Sequence, residues 1–157
     1  MDKVIDDFHG EYFFLDNFYP ATVNYRDITF PTSEHAFQAM KSHSPRIWEF
    51  FGTLNSPGTA KLIGQKLYLR KDWEEVKFDY MKDIVTAKFE QHPDLAEKLI
   101  ATGDAVLVEG NTWGDRTWGI CNCEGKNWLG KILMDLRCRL KEEGYNVFHA
   151  VERAWWD

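Results

Sequence analysis

A disulfide framework is excluded at the outset. The 157 residues include three cysteines, Cys121, Cys123 and Cys138, an odd and low count that fits a reducing, cytoplasmic setting better than a stapled secreted scaffold. Cys121-Asn-Cys123 does not have a zinc-ligand spacing and no histidine stands near it in sequence, so the thiols read as inert and no metal is expected. Long apolar runs are missing as well. Nothing approaches the roughly 20 residues that span a bilayer, and Met1-Asp-Lys-Val-Ile-Asp-Asp offers no apolar core for a secretory signal, so no membrane partner is expected. Positive charge is also in short supply. The net charge is −6, which argues against the broad basic face that grips nucleic acid but leaves room for a small basic pocket around one phosphate. There is no internal repeat, low-complexity tract or linker.

What is present is core-forming. Hydrophobic residues make up 44% and aromatics 15% of the chain, so disorder is excluded, and the length suits one domain, residues 1–157, rather than two. Seven Trp and eleven Phe are many for this size. Most belong in a core, but Trp also lines sites that hold a flat ring, because it offers area at low entropic cost.

Periodicity gives an α+β chain, mostly helical, with a few short strands near the N-terminus and around residue 106. Glu11-Tyr-Phe-Phe-Leu15 reads as a strand, and Thr22–Arg26 and Ile28–Phe30 as two more around a turn at Arg26-Asp27. Pro45 and Gly52 bracket a short helix, Ser56-Pro57 opens another that closes near Gly64, and Asp72-Trp-Glu-Glu75 opens a longer one to Phe89. On that long helix Trp73, Lys77, Met81, Ile84 and Lys88 share a side, with Trp73, Met81 and Phe89 assigned mainly to packing. Pro93 opens the next helix, with Gly103 beyond its end, and Ala105-Val-Leu-Val108 reads as a buried strand. Residues 109–125 are loop-rich. Asn127 is placed to cap a last helix with a stripe of Leu129, Ile132, Leu133, Leu136 and Leu140, ended by Gly144. Residues 141–157, with Phe148, Trp155 and Trp156, carry no functional pattern.

The most informative stretch is Pro31-Thr-Ser-Glu-His-Ala-Phe-Gln-Ala-Met-Lys41. Thr32 or Ser33 can cap a helix there. At about 100° per residue, Glu34, Gln38 and Lys41 then fall within roughly 60° of one another, beside an apolar stripe of Ala36, Phe37 and Met40. A carboxyl, an amide and an amine on one side make a candidate acid/base or nucleophile site. The same three residues also suit an ordinary helix surface, with Glu34 favoured by the helix dipole.

The chain resembles the NADAR family, the YbiA-like proteins. The matching pieces are Phe13-Phe-Leu-Asp-Asn-Phe18, Phe30–Lys41, Asp72-Trp73, Met81, Lys88-Phe89, Thr102–Glu109, Asp115-Arg-Thr-Trp-Gly119, Gly125–Lys131 and Leu133-Met-Asp-Leu-Arg137. They stand in family order over residues about 8–140. The resemblance implies a YbiA-like fold and a cofactor-free hydrolase that cleaves N-glycosidic bonds to ribose. One branch acts on ribosylamino-pyrimidine intermediates of riboflavin synthesis, and another removes ADP-ribose from guanine bases of nucleic acid. A catalytically silent module binding ADP-ribose is a third alternative. The chain departs from the family at Asp16, where Ser often precedes the Asn of the first motif.

Cleaving a ribose–nitrogen bond needs charge handling at the anomeric carbon and the leaving nitrogen. Glu34 and Lys41 suit a route in which the opened sugar is captured on the lysine as a Schiff base, with Glu34 moving protons. An oxocarbenium route, with Lys41 as a phosphate contact, stays open. Asn17 and Gln38 join the candidate binding set with the motifs that contain them. Glu109 ends a strand, where a side chain either enters a site or stays exposed. Asp115 can hold ribose hydroxyls and Trp118 can stack on a base. Asn127 can cap its helix, whose N-terminus can also take a phosphate, and Arg137 can reach a phosphate or a carboxylate, or form an internal ion pair.

Overall fold

The computed structural model describes residues 3–144. The expectations placed on Phe148, Trp155 and Trp156 lie outside the described residues. The chain divides into two compact units: residues 17–91, and residues 1–16 with 92–157.

The 17–91 unit begins with a hairpin of β1 (Val23–Tyr25) and β2 (Ile28–Phe30), antiparallel with Val23 opposite Phe30. Its two turn residues, Arg26 and Asp27, have φ of 52° and 64°, the left-handed pair that matches the twist of a two-residue hairpin. Helices α1 (Ser33–Ala39), α2 (Pro45–Gly52), α3 (Pro57–Gly64) and α4 (Trp73–Gln91) follow. Thr32 caps α1, accepting from the His35 N–H at 3.2 Å, and Ser56 caps α3, accepting from the Thr59 N–H at 3.1 Å. Pro45 and Pro57 open their helices as expected. Gly52, expected beyond the end of α2, is its last residue. The helices close over Phe30, Met40, Phe51, Ile84 and Phe89. The rings of Phe37 on α1 and Trp73 on α4 lie 5.2 Å apart, so the packing assigned to Trp73 is observed. Lys77 shares that side by periodicity but pairs with Glu74 instead of entering the core.

The other unit opens with β3 (Val4–Ile5), which pairs in parallel with β4 (Val106–Leu107), Ile5 opposite Leu107. The stretch expected to be a strand at Glu11–Leu15 is a 3-10 helix, Gly10–Leu15. The reason lies in its burial. Phe14 and Leu15 are consecutive and both buried, a pattern a strand with one exposed face does not give, and Asp16 N–H donates to the Phe13 carbonyl at 2.9 Å. Helix α5 (Pro93–Ala101) ends before Gly103, whose φ is 66°. The region read as loop holds a short parallel pair, β5 (Gly110–Asn111) with β6 (Ile120–Cys121). Helix α6 (Trp128–Glu142) buries the expected leucine stripe against α5 and β4. Gly144, at φ 65°, turns the chain off it.

Candidate active site

In the 17–91 unit the site is built on the first turn of α1. A helix N-terminus leaves unbonded N–H groups, and here Asn17 helps to satisfy them. Its carbonyl accepts from the Glu34 N–H at 3.1 Å, while Ser33 Oγ donates to Asn17 Oδ1 at 2.9 Å. The Asn17 amide in turn points at Met81 Sδ on α4, 3.4 Å away. Asn17 thereby fixes the start of the helix on which Glu34 sits. His35 is held the same way. Its Nε2 donates to the Leu54 carbonyl, so Nδ1 is the acceptor and takes the Thr32 hydroxyl at 2.7 Å. Burial keeps its pKa below the ordinary histidine value, and the ring is neutral.

Glu34 and Gln38 are both buried. Gln38 Nε2 donates to Glu34 Oε1 at 2.8 Å, so one helical turn of spacing becomes a direct side-chain bond. Among the described residues the Gln38 Oε1 atom has no hydrogen-bond partner.

Lys41 departs from expectation in one respect. Helix α1 stops at Ala39, with Met40 as its C-cap, and Lys41 stands past the end in a tighter turn, its N–H bonded to the Gln38 carbonyl at 3.2 Å. Ser44 is extended ahead of Pro45, with ψ of 118°, so α1 must end before it. The amine is half-buried, and its pKa is lowered, first by burial and further by the like charge of Lys61; the Glu34 carboxylate opposes the shift. A carboxylate, the amide that holds it and an amine with a depressed pKa thus occur together. That combination suits proton transfer, and the lowered pKa raises the share of neutral, nucleophilic amine.

Lys61 has no place in the sequence expectations, and Lys88 enters them only on the shared side of the long helix and in the motif Lys88-Phe89. Lys61 on α3 lies with its Nζ 6.0 Å from the Phe18 ring, and only the packing of α1 on α3 relates it to Lys41. Lys88 on α4 is 1% exposed, with Nζ 5.5 Å from the Tyr19 ring and 5.2 Å from that of Phe89. Its spacing from Met81 on the buried side of α4 was the available signal.

The remaining candidates lie in the other unit. Glu109 is buried rather than exposed. Its Oε2 accepts from Asn111 Nδ2 at 3.1 Å, and Gly119 approaches so closely that a Cβ there would stand 1.8 Å from that same oxygen. Asp115 folds the loop upon itself, Oδ1 accepting from the N–H groups of Thr117 and Trp118 at 3.0 and 2.9 Å. Asn111 closes it, donating to the Asp115 carbonyl and accepting from its N–H. Trp118 is half-buried, and its carbonyl accepts from the Leu129 N–H at 3.0 Å.

Asn127 corrects the capping expectation. It occupies the N-cap position of α6 but in the left-handed conformation, φ 53°, with no side-chain cap bond. Its side chain reaches back to the end of β4, accepting from the Glu109 N–H at 3.0 Å and donating to the Leu107 carbonyl at 2.9 Å. Arg137 is buried. Its Nη1 donates to Thr102 Oγ1 at 2.8 Å, and burial lowers its pKa against the attraction of Asp104. Among the described residues no group of three or more His, Cys, Asp or Glu side chains is arranged to hold a metal ion, and no helix is long and apolar enough to cross a membrane.

The family follows from the whole chain. The NADAR domain model matches residues 6–141, and the chain belongs to that family. It is 41% identical over 149 residues to the N-glycosidase YbiA of Shigella flexneri serotype 5b, covering 91% of this chain and 92% of that protein. It is also 35% identical over 156 residues to a riboflavin biosynthesis protein of Vibrio vulnificus, covering 95% of this chain and 41% of that longer one. The NMR structure of YbiA from Escherichia coli superposes with a TM-score of 0.80 at 39% identity, over 92% of this chain and 89% of that one. The expected α+β, mostly helical fold is therefore the fold observed.

Proposed function

We propose that this protein is an N-glycosidase that hydrolyses the bond between ribose and nitrogen in ribosylaminopyrimidine phosphate intermediates of riboflavin biosynthesis. The activity is supported by kinship with N-glycosidases named as such. The substrate is supported by kinship with a riboflavin biosynthesis protein. The observation that carries the mechanism is the buried Glu34–Gln38 bond beside a half-buried lysine whose pKa burial has lowered.

The neutral Lys41 amine attacks C1 of the ribose, and the ring opens as the ring oxygen takes a proton. The C1–N bond then breaks, the leaving nitrogen takes a proton, and an imine links C1 to Lys41. Glu34 supplies and recovers these protons. Water adds to the imine, releasing the aldehyde sugar and regenerating the amine. No cofactor enters, since no electrons change hands.

Asn17 and Gln38 support the reacting carboxylate, and Trp118 is the proposed contact for the base. Asp115, Glu109, Asn127 and Arg137 stay in the proposed binding set. Their bonds to neighbouring backbone and side chains also support a role in shaping that part of the molecule. The three free cysteines support a cytoplasmic setting. The test offers purified protein both a ribosylaminopyrimidine phosphate and ADP-ribosylated DNA. Release of sugar phosphate from the first is expected. Release from the DNA alone overturns the substrate assignment, and the net charge of −6 weighs against that outcome.

A further inference from the structure

We propose that Gly64 is a positioning residue for the Glu34 carboxylate: its bare Cα on α3 leaves the space from which the Gln38 amide holds Glu34. This rests on the role just assigned to Glu34. A methyl group built on Gly64 would stand 1.9 Å from Oε1 of Gln38, 2.7 Å from its Cδ and 3.1 Å from its Cβ. The three nearest atoms all belong to that one side chain, so the conflict is with the amide rather than with the backbone of α1. The amide is also the group with least freedom to move harmlessly. It is buried, and its single nitrogen contact is the 2.8 Å bond to Glu34 Oε1.

The Oε1 atom without a hydrogen-bond partner fits this account. Turned over, the amide would set its oxygen against the carboxylate, two acceptors facing each other. The observed orientation keeps the donor on Glu34 and sends the oxygen toward Gly64, where a Cα–H is the neighbour and only a weak contact is available. The amide accepts a poor environment for one atom in order to hold the carboxylate with the other. Any side chain at position 64 removes that arrangement. The two closest contacts, Oε1 and Cδ, are the far end of a flexible side chain, so Gln38 swings away; the Cβ contact at 3.1 Å asks the helices to give by only a few tenths of an ångström.

The test combines a spectroscopic and a kinetic readout. In uniformly labelled protein the side-chain amide signal of Gln38 is expected to move in Gly64→Ala, and to move again on Glu34→Gln alone. In turnover, Gly64→Ala is expected to lower kcat by about tenfold or more with KM within about threefold, the signature of an interaction that matters in the transition state. Combining it with Gln38→Ala should cost no more than Gln38→Ala alone, because both substitutions remove the same bond. An unmoved amide signal in folded Gly64→Ala overturns the proposal, as does a moved signal with unchanged kcat. If the signal moves but the wild-type protein releases no sugar from any N-ribosyl substrate, the holding of Glu34 through Gly64 stands and the assigned reaction falls. Should Gly64→Ala not fold, Gln38→Met keeps the volume and donates nothing; the same loss in kcat supports the proposal and an unchanged kcat overturns it.

Discussion

In residues 32–41, Glu34 and Gln38 bond to each other through their side chains, whereas in residues 109–127 Asp115, Asn111 and Asn127 make most of their side-chain bonds to the backbone. Gln38 bonds to the Glu34 carboxylate, and Lys41 feels Glu34 and Lys61. Asp115, by contrast, holds two N–H groups, Asn127 an N–H and a carbonyl, and Asn111 both backbone groups of Asp115. Both stretches look equally rich in chemistry when read as sequence. The difference lies in what each polar atom has left over. A carboxylate held by a side-chain amide keeps its proton chemistry, and an amine made less basic by burial gains nucleophilicity. An Asp already accepting two backbone bonds is a builder of loops. The contrast supports the proposal that the first stretch reacts and the second shapes.

The largest effect that would break this division is at Glu34. Glu34→Gln keeps the volume and the partner at Gln38 but cannot move a proton. We expect kcat to fall by about 10²–10⁴-fold, the range for a lost general acid/base, with the circular dichroism spectrum unchanged. A folded Glu34→Gln protein turning over at near wild-type rate would place the reaction elsewhere.

Lys41 sharpens the same side of the comparison. Borohydride added during turnover should reduce the imine and leave a sugar-derived mass on the peptide containing Lys41. Lys41→Arg, which keeps the charge but not the nucleophile, should lose about 100-fold or more in kcat. The sign of the pH dependence follows from the shift. The amine reacts when neutral, so kcat/KM should rise with pH through a midpoint below the ordinary lysine value, because burial has lowered it. Lys61→Gln removes one lowering influence and should move that limb to higher pH. Full activity in Lys41→Arg, or no shift in Lys61→Gln, returns Lys41 to phosphate contact and the mechanism to the oxocarbenium route.

Much of the 17–91 unit was legible because its determinants are local. The Thr32 cap, the one-turn spacing of Glu34 and Gln38, the Arg26-Asp27 turn and the opening prolines each depend on neighbours within a few residues. What was hidden depends on partners far along the chain. The two-residue strand at Val4–Ile5 exists because Val106–Leu107 lies beside it, and so short a strand has no period to detect. Lys61 acquires meaning from the packing of α1 on α3. Asn127 was read from its position as a cap, but a glycine at 130 lets β4 come close. A Cβ there would meet the Leu107 carbonyl at 2.1 Å, and the Asn side chain is drawn to that strand end. The aromatic run at 11–15 misled because β-propensity reports a fit to a half-buried surface, and consecutive burial of Phe14 and Leu15 is met by a 3-10 turn. The family motifs supplied the function; no local spacing did.

Asn127 tests the other side of the comparison. Asn127→Ala strips buried partners from the Glu109 N–H and the Leu107 carbonyl and places a less tolerant residue at φ 53°. Leaving two buried backbone groups unsatisfied costs about 2–4 kcal/mol, visible as a lower denaturant midpoint. Asn127→Gly relieves the backbone and not the bonds, so it should recover only part of that loss. If Asn127→Ala instead keeps its stability and raises KM for phosphorylated substrate alone, the residue belongs to a phosphate site and the division between the two stretches fails.

Trp118 carries the smallest expected effect and the most pointed one, because it is the residue of the second stretch proposed to touch substrate. Its backbone is engaged, the N–H by Asp115 and the carbonyl by Leu129, and these loop bonds do not run through the indole. The ring is only half-buried, and its removal leaves a smaller packing debt than a core Trp would. Trp118→Ala should therefore raise KM by about tenfold, the scale of one base–aromatic stack of about 1–3 kcal/mol, while the melting temperature moves little. Trp118→Phe, which keeps a flat face, should restore most of the binding; Trp118→Leu, apolar but without that face, should not. Equal rescue by Leu and Phe would mean that bulk rather than stacking is what the position supplies. A collapse in melting temperature with KM unchanged would make Trp118 a part of the core, and the 109–127 stretch would then be scaffold throughout.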